Sequence, residues 1–161
     1  NILNHIYEME KTKFYFASKE NSLLDDLYRY QIDLPKITVS GKQGNKTTFF
    51  ENSEDFATYM NIPSSFFGKF ISYKISCPSN FDKTKKCLTF KGEYNQEIIS
   101  QYLLDFVKIY ILCDNCDYPE INLSTQKKKP ITKTCRSCGH IKDIDGKFMD
   151  KTYDFIQKNL K

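Results

Sequence analysis

Cys113-Asp114-Asn115-Cys116 and Cys135-Arg136-Ser137-Cys138 are two C-x2-C knuckles with 18 residues between them. Two residues between paired cysteines let a tight turn aim both sulfurs at one point, and two such turns complete a tetrahedron. The chemistry this suits is a single structural Zn²⁺ held by four thiolates. With no coordination position left for water, such an ion is not catalytic. A thiol redox centre or an iron–sulfur cluster is the alternative use of the same residues. The intervening stretch has the length of a β-hairpin, and Gly139 stands where the second turn calls for positive φ. A ribbon of this size buries too little surface to fold alone. The ion therefore supplies much of its folding energy, ~10–16 kcal/mol in small zinc peptides. Cys77 and Cys87 lack partners at ligand spacing and read as buried small hydrophobes, and His5 and His140 as surface residues.

Charge gathers around the same knuckles. Residues 1–126 carry 14 basic and 16 acidic side chains, a balance of −2, whereas residues 127–161 carry 10 and 4, a balance of +6. The hairpin tip holds Lys127, Lys128 and Lys129, with Lys133, Arg136 and Lys142 nearer the cysteines. Such a face contacts the phosphates of RNA, or it is a solvated tip whose cations balance an electron-rich metal centre. The ribbon has no aromatic platform for reading bases. Only two of the 24 basic residues are arginine, Arg29 and Arg136. Where lysine has been used for nearly every positive charge, an arginine points to a need for the planar fork.

These residues need elements to position them. Lys36–Ser40 and Thr47–Phe50 read as strands joined by the turn-rich segment 41–45, a β-hairpin. Ser53, followed by Glu54 and Asp55, predicts a helix N-cap, with the helix running to about Met60 and stopping before Pro63. A second helix from about Ser64 turns Phe66, Phe67, Phe70 and Ile71 inward. After a turn at 78–82, Cys87–Lys91 reads as a strand ended by Gly92. The clearest helix spans Asn95 to Tyr110: Ile98, Tyr102, Phe106 and Tyr110, with Ile99, Leu103 and Val107, form a wide apolar stripe. That stripe is expected to lie over the hairpin, and the helix delivers the chain directly to Cys113. Ahead of all this, Ile2, Leu3 and Ile6 fall at helical spacing, Phe14–Phe16 is strand-like, and residues 25–30 read as an arm or loop.

The expected fold class is α+β: a small mixed helix and antiparallel-sheet domain followed by a four-cysteine zinc ribbon. The expected division is an N-terminal extension (1–23), the α/β domain with its arm (24–110), and the ribbon with a C-terminal segment (111–161). A hydrophobic fraction of 40% and an aromatic fraction of 15% can fill a real core. No apolar run approaches the roughly 20 residues of a membrane span, and the start lacks a signal-peptide layout. A cytoplasmic monomer with reduced thiols is the expectation.

The order of parts (hairpin, two short helices, strand, long helix, four-cysteine ribbon) resembles the N-terminal domain of eukaryotic translation initiation factor 5. It is more distantly similar to the β subunit of initiation factor 2. The similarity runs from about Leu24 to about Asn159. It is carried by Tyr28-Arg29-Tyr30, Val107 to Cys116, Tyr118-Pro119-Glu120, Cys135-Arg136-Ser137-Cys138-Gly139 and Phe155-Ile156-Gln157-Lys158-Asn159. By contrast, Leu88-Thr89-Phe90-Lys91-Gly92-Glu93-Tyr94 looks closer to the β subunit.

The resemblance implies a GTPase-activating role toward GTP-bound initiation factor 2, through its γ subunit, with initiator tRNA on the small ribosomal subunit during start-codon recognition. It also implies that Arg29 is an arginine finger supplied in trans, with Lys46 and Lys69 assisting. Positive charge on the separating γ-phosphate oxygens can be worth ~10³–10⁵ in rate when an arginine is supplied this way. No G-x-x-x-x-G-K-[ST] occurs, so the chain reads as an activator, not itself a GTPase. The alternatives are a β-like scaffold that binds the γ GTPase and tRNA without accelerating hydrolysis, and a nucleic-acid-binding zinc-ribbon protein.

Overall fold

A computed structural model describes residues 13–16, 30–126 and 129–160. The expected helical spacing at Ile2, Leu3 and Ile6, the arm residues 25–29 with Arg29, and Lys127 and Lys128 lie outside the described residues.

The body is a four-stranded antiparallel sheet backed by helices. Strands β3 (Ile37–Ser40), β4 (Thr47–Phe50), β5 (Ser79–Asp82) and β6 (Cys87–Lys91) pair in the order β3-β4-β6-β5. The expected hairpin is β3–β4, with Ile37 opposite Phe50 and Ser40 opposite Thr47. Its turn needs glycine at Gly41. There φ is +112°, and an added Cβ would meet the Asn45 carbonyl oxygen at 2.3 Å. A short ribbon of β1 (Lys13–Tyr15) and β2 (Gln31–Asp33) lies ahead of the sheet, with Phe14 opposite Ile32.

Residues 79–82, expected to be a turn, form edge strand β5. The turn comes after it, where Asp82 Oδ1 accepts from the backbone N–H of Thr84 and Lys85. The polar run beside Pro78 hid the strand, because an edge position tolerates proline and polar residues that a central strand would not.

Helices α1 (Ser53–Met60) and α2 (Ser64–Ile75) follow the hairpin, as expected, and Phe66, Phe67, Phe70 and Ile71 are buried. Ser53, however, is not the N-cap. It is the first helical residue, fully buried, and its Oγ accepts the backbone N–H of Leu88 at 2.9 Å. The N-cap is Asn52, whose amide instead clamps the β3 approach: Oδ1 accepts from Lys36 N and Nδ2 donates to Leu34 O.

Helix α3 (Gln96–Tyr110) is capped by Asn95, whose side chain accepts from Ile98 N. Its buried seam is Ile99, Leu103, Phe106, Val107 and Tyr110, while Ile98 is exposed. The seam packs chiefly on α2, not over the hairpin, with Phe106 edge-on to Phe67 and Phe70. Only the approach to α3 and its first turn touch the hairpin side, where Gln96 Nε2 donates to Pro35 O and Tyr94 N to Thr48 Oγ1. The physical reason is volume. Rings on α2 offer α3 a better-filled seam than the small residues of β3.

The ribbon is a three-stranded antiparallel sheet of β7 (Ile121–Ser124), β8 (Thr132–Cys135) and β9 (Ile141–Asp143). Helix α4 (Lys151–Asn159) closes back onto α2, with Phe155 edge-on to Phe66. One apolar core takes in Phe14 and Phe16 from before the arm, the body's phenylalanines, and Ile131, Ile144, Tyr153 and Ile156 from the C-terminal region. Tyr153 OH fastens this junction, accepting from the buried Ile131 N–H at 2.8 Å. The architecture is α+β followed by a four-cysteine ribbon. No helix among the described residues is long and apolar enough to cross a membrane.

Candidate metal centre and arm anchor

Two matching turns aim the sulfurs. In the first knuckle, Cys113 N donates to Tyr118 O, Asp117 N to Cys113 O, and Asn115 N to Cys113 Sγ at 3.4 Å. In the second, Cys135 N donates to His140 O and Gly139 N to Cys135 O, with Gly139 at φ +75° as the sequence required. All four sulfurs lie within 4.8 Å of one another. Cys113 Sγ is 3.6 Å from Cys138 Sγ, and Cys116 Sγ is 3.7 Å from Cys135 Sγ. A disulfide would need about 2.05 Å. Tetrahedral thiolates on bonds of about 2.3 Å stand about 3.8 Å apart, so the donor set fits a metal ion.

The thiols differ in ease of ionisation. The His140 backbone N–H and then the Asn115 amide pull Cys138 down to about 6. Burial pushes Cys116 up to about 12. Cys87 is fully buried, as expected, and burial raises its thiol.

The basic residues divide. Lys129 is exposed, but Lys133 is only 4% exposed, with its Nζ 2.8 Å from Asp114 Oδ1. Lys142 Nζ takes the other carboxylate oxygen at 2.7 Å. Burial alone would raise the Asp114 carboxyl; the two ammonium groups outweigh it and hold it below the usual carboxylate range. Lys133 is thus an internal counter-ion, not part of an exposed phosphate-contacting face. It sits on β8 opposite Leu123 and Lys142, where the ribbon closes over it. Arg136 is also engaged, its Nη2 at 2.9 Å from Glu120 Oε2.

Of the two assisting lysines, Lys46 leads into β4 and pairs with Glu93. Lys69 is exposed on α2, its Nζ 5.8 Å from the centroid of the Phe155 ring.

Arg29 itself precedes the first described residue of its segment, Tyr30. That tyrosine is 6% exposed. Its hydroxyl donates to Glu120 Oε1 at 3.3 Å, and its ring packs at 5.2 Å on Tyr118. Tyr118 and Glu120 directly follow the first knuckle, and Glu120 is the residue that Arg136 of the second knuckle holds. Sequence reasoning attached no role to Asp114 or Glu120. An acid beside a cysteine pair, with cations in the facing knuckle, was the available signal.

Residues 19–141 match the family described as a domain found in initiation factors 2B and 5. The chain belongs to that family. This initiation-factor domain is 29% identical to "Eukaryotic translation initiation factor 5" of Caenorhabditis elegans over 138 residues, covering 86% of this chain and 31% of that protein. "Probable eukaryotic translation initiation factor 5-2" of Arabidopsis thaliana is 27% identical over 143 residues, covering 89% and 32%. The factor 5 of Mus musculus is 28% identical over 139 residues, covering 86% and 32%. The chain spans about a third of the length of these relatives, and the resemblance to a factor-5-like N-terminal domain is borne out.

Proposed function

We propose that this initiation-factor domain acts in translation initiation as a GTPase activator of GTP-bound initiation factor 2 with initiator tRNA on the small ribosomal subunit, Arg29 being supplied in trans. The observation that carries the reading is the likeness to factor 5 relatives over most of the chain, arm included. The physics is consistent with it. The residue after Arg29 is pinned to a rigid ribbon, and positioned positive charge is what phosphoryl transfer asks of an activator. Lys69, exposed on α2, is available to a partner; Lys46 would have to leave Glu93 to reach one. Exposed Lys129 supports an RNA contact at the hairpin tip, acting together with Lys127 and Lys128.

The ion in this reading is a single Zn²⁺ on Cys113, Cys116, Cys135 and Cys138, supported by the sulfur spacing. When bound it supplies folding energy and no chemistry at a substrate. Metal analysis of protein purified under reducing conditions should return one zinc per chain; iron with a visible charge-transfer band would replace this assignment.

The decisive assay is single-turnover GTP hydrolysis by initiation factor 2 on small subunits, with wild type, Arg29→Ala and Arg29→Lys. Loss of stimulation by roughly 10³-fold or more in both variants is expected. Stimulation that survives both removes the finger assignment. The matched family is not confined to factor 5, and binding without any stimulation would favour the β-like scaffold reading.

A further inference from the structure

The root of the arm is held from two sides. On one side, Phe16 N donates to the Tyr30 carbonyl at 3.0 Å and β2 continues the pairing with β1. On the other, the tyrosine side chain lies against the ribbon through Tyr118 and Glu120. Glu120 is shared. One carboxylate oxygen takes the Tyr30 hydroxyl and the other takes Arg136, while the Arg136 backbone N–H donates to the Glu120 carbonyl at 2.8 Å. Arg136 is one of the two residues between Cys135 and Cys138, so its backbone is set by the turn that aims those sulfurs.

We infer that Glu120 and Arg136 are positioning residues, through which the second cysteine knuckle holds Tyr30 and thereby presents Arg29 to the partner's nucleotide. The consequence for hydrolysis rests on the Arg29 reading above; the anchor itself does not. Three features set this contact apart from an ordinary surface ion pair. The tyrosine it ends on is almost fully buried, Glu120 is three-quarters buried, and two separate hydrogen bonds converge on Glu120 from residue 136. Preorganisation is the physical gain. An arm whose root is fixed needs less ordering when it enters a pocket.

The chain's arginine usage provides a clean readout. An arginine-specific protease has only two sites, after Arg29 and after Arg136. Cutting Arg29–Tyr30 requires Tyr30 to leave its place and extend in the protease, so the cleavage rate follows the population of the released root. In zinc-loaded full chain, Tyr30→Phe, Glu120→Gln and Arg136→Gln should each speed this cut about five- to tenfold, with metal content and global melting unchanged. Equal cleavage rates in wild type and all three variants would overturn the anchor.

The hydrolysis assay then tests the coupling. Glu120→Gln should lower the maximal stimulated rate about three- to tenfold while leaving the half-saturating concentration of the domain unchanged. In an Arg29→Ala background the same change should cost nothing more. A loss that adds fully to that of Arg29→Ala overturns the positioning role. If Arg29→Ala alone leaves stimulation intact, the finger reading fails while the cleavage result still decides the anchor.

Discussion

Lys133 offers the sharpest test of what the ribbon's charges do. Its ammonium is buried, at 5% side-chain exposure, and is matched by the Asp114 carboxylate at 2.8 Å. Removing one partner of a buried pair costs ~3–5 kcal/mol, because the remaining charge stays desolvated without compensation. Asp114 is about a third exposed and also serves Lys142, so water and the second lysine soften the loss. Asp114→Ala should therefore cost about 3 kcal/mol, the lower end of that range. Lys133→Met keeps the aliphatic volume and removes the buried charge, leaving Asp114 with Lys142 and solvent. It should change stability by less than about 1 kcal/mol. In the double variant the Asp114 penalty should largely vanish, a coupling of roughly 2 kcal/mol. Urea denaturation of zinc-loaded protein measures all four corners of the cycle. Small-subunit or RNA affinity, measured alongside, should be unaffected by Lys133→Met and weakened by Lys129→Ala. A Lys133→Met variant as unstable as Asp114→Ala, or one that binds RNA tenfold more weakly, would refute the counter-ion argument.

The body supplies three more tests. Ser53→Ala leaves the buried Leu88 N–H without its acceptor and should cost about 1–3 kcal/mol in chemical denaturation. Its helix content by circular dichroism should be unchanged, since Ser53 caps nothing. Phe106→Ala opens a cavity among Phe67, Phe70 and Tyr110 and should cost about 3–5 kcal/mol. The Lys13–Asp33 pair clamps β1 to β2 at 2.7 Å and holds the Asp33 carboxyl below its ordinary value, first through the hydrogen bond and then through charge. A depressed carboxylate contributes stability above its unfolded pKa of about 4 and loses it as pH falls through the folded value. Amide exchange in β1 and β2 should therefore accelerate below about pH 4, and Asp33→Asn should abolish that dependence.

Much of this protein was legible in one dimension because its signals are local. Two C-x2-C knuckles specify a tight turn each, so the convergence of Cys113, Cys116, Cys135 and Cys138 needed only a hairpin to join them. The 3.6-residue period of 96–110 announced α3, and the glycines at 41, 44, 92 and 139 marked places where φ turns positive. The hairpin at 37–50 followed from strand-forming residues either side of a turn. What stayed hidden depends on neighbours far along the chain. Ser53 has the type and place of a cap, yet Leu88, 35 residues on, claims its hydroxyl. Edge strand β5 carries no apolar alternation because solvent meets one of its sides.

The charged residues show the limit most clearly. Lysine at 133 reads the same on paper whether it faces water or Asp114, and arginine at 136 the same whether it awaits phosphate or holds Glu120. Charge and spacing are properties of residue type and order, and they alone established the metal ligands, the helices and the family likeness. Burial and pairing are properties of what the folded chain brings within about 3 Å. Only the tertiary structure could assign Lys133 to the interior and tie the root of the arm to the second knuckle.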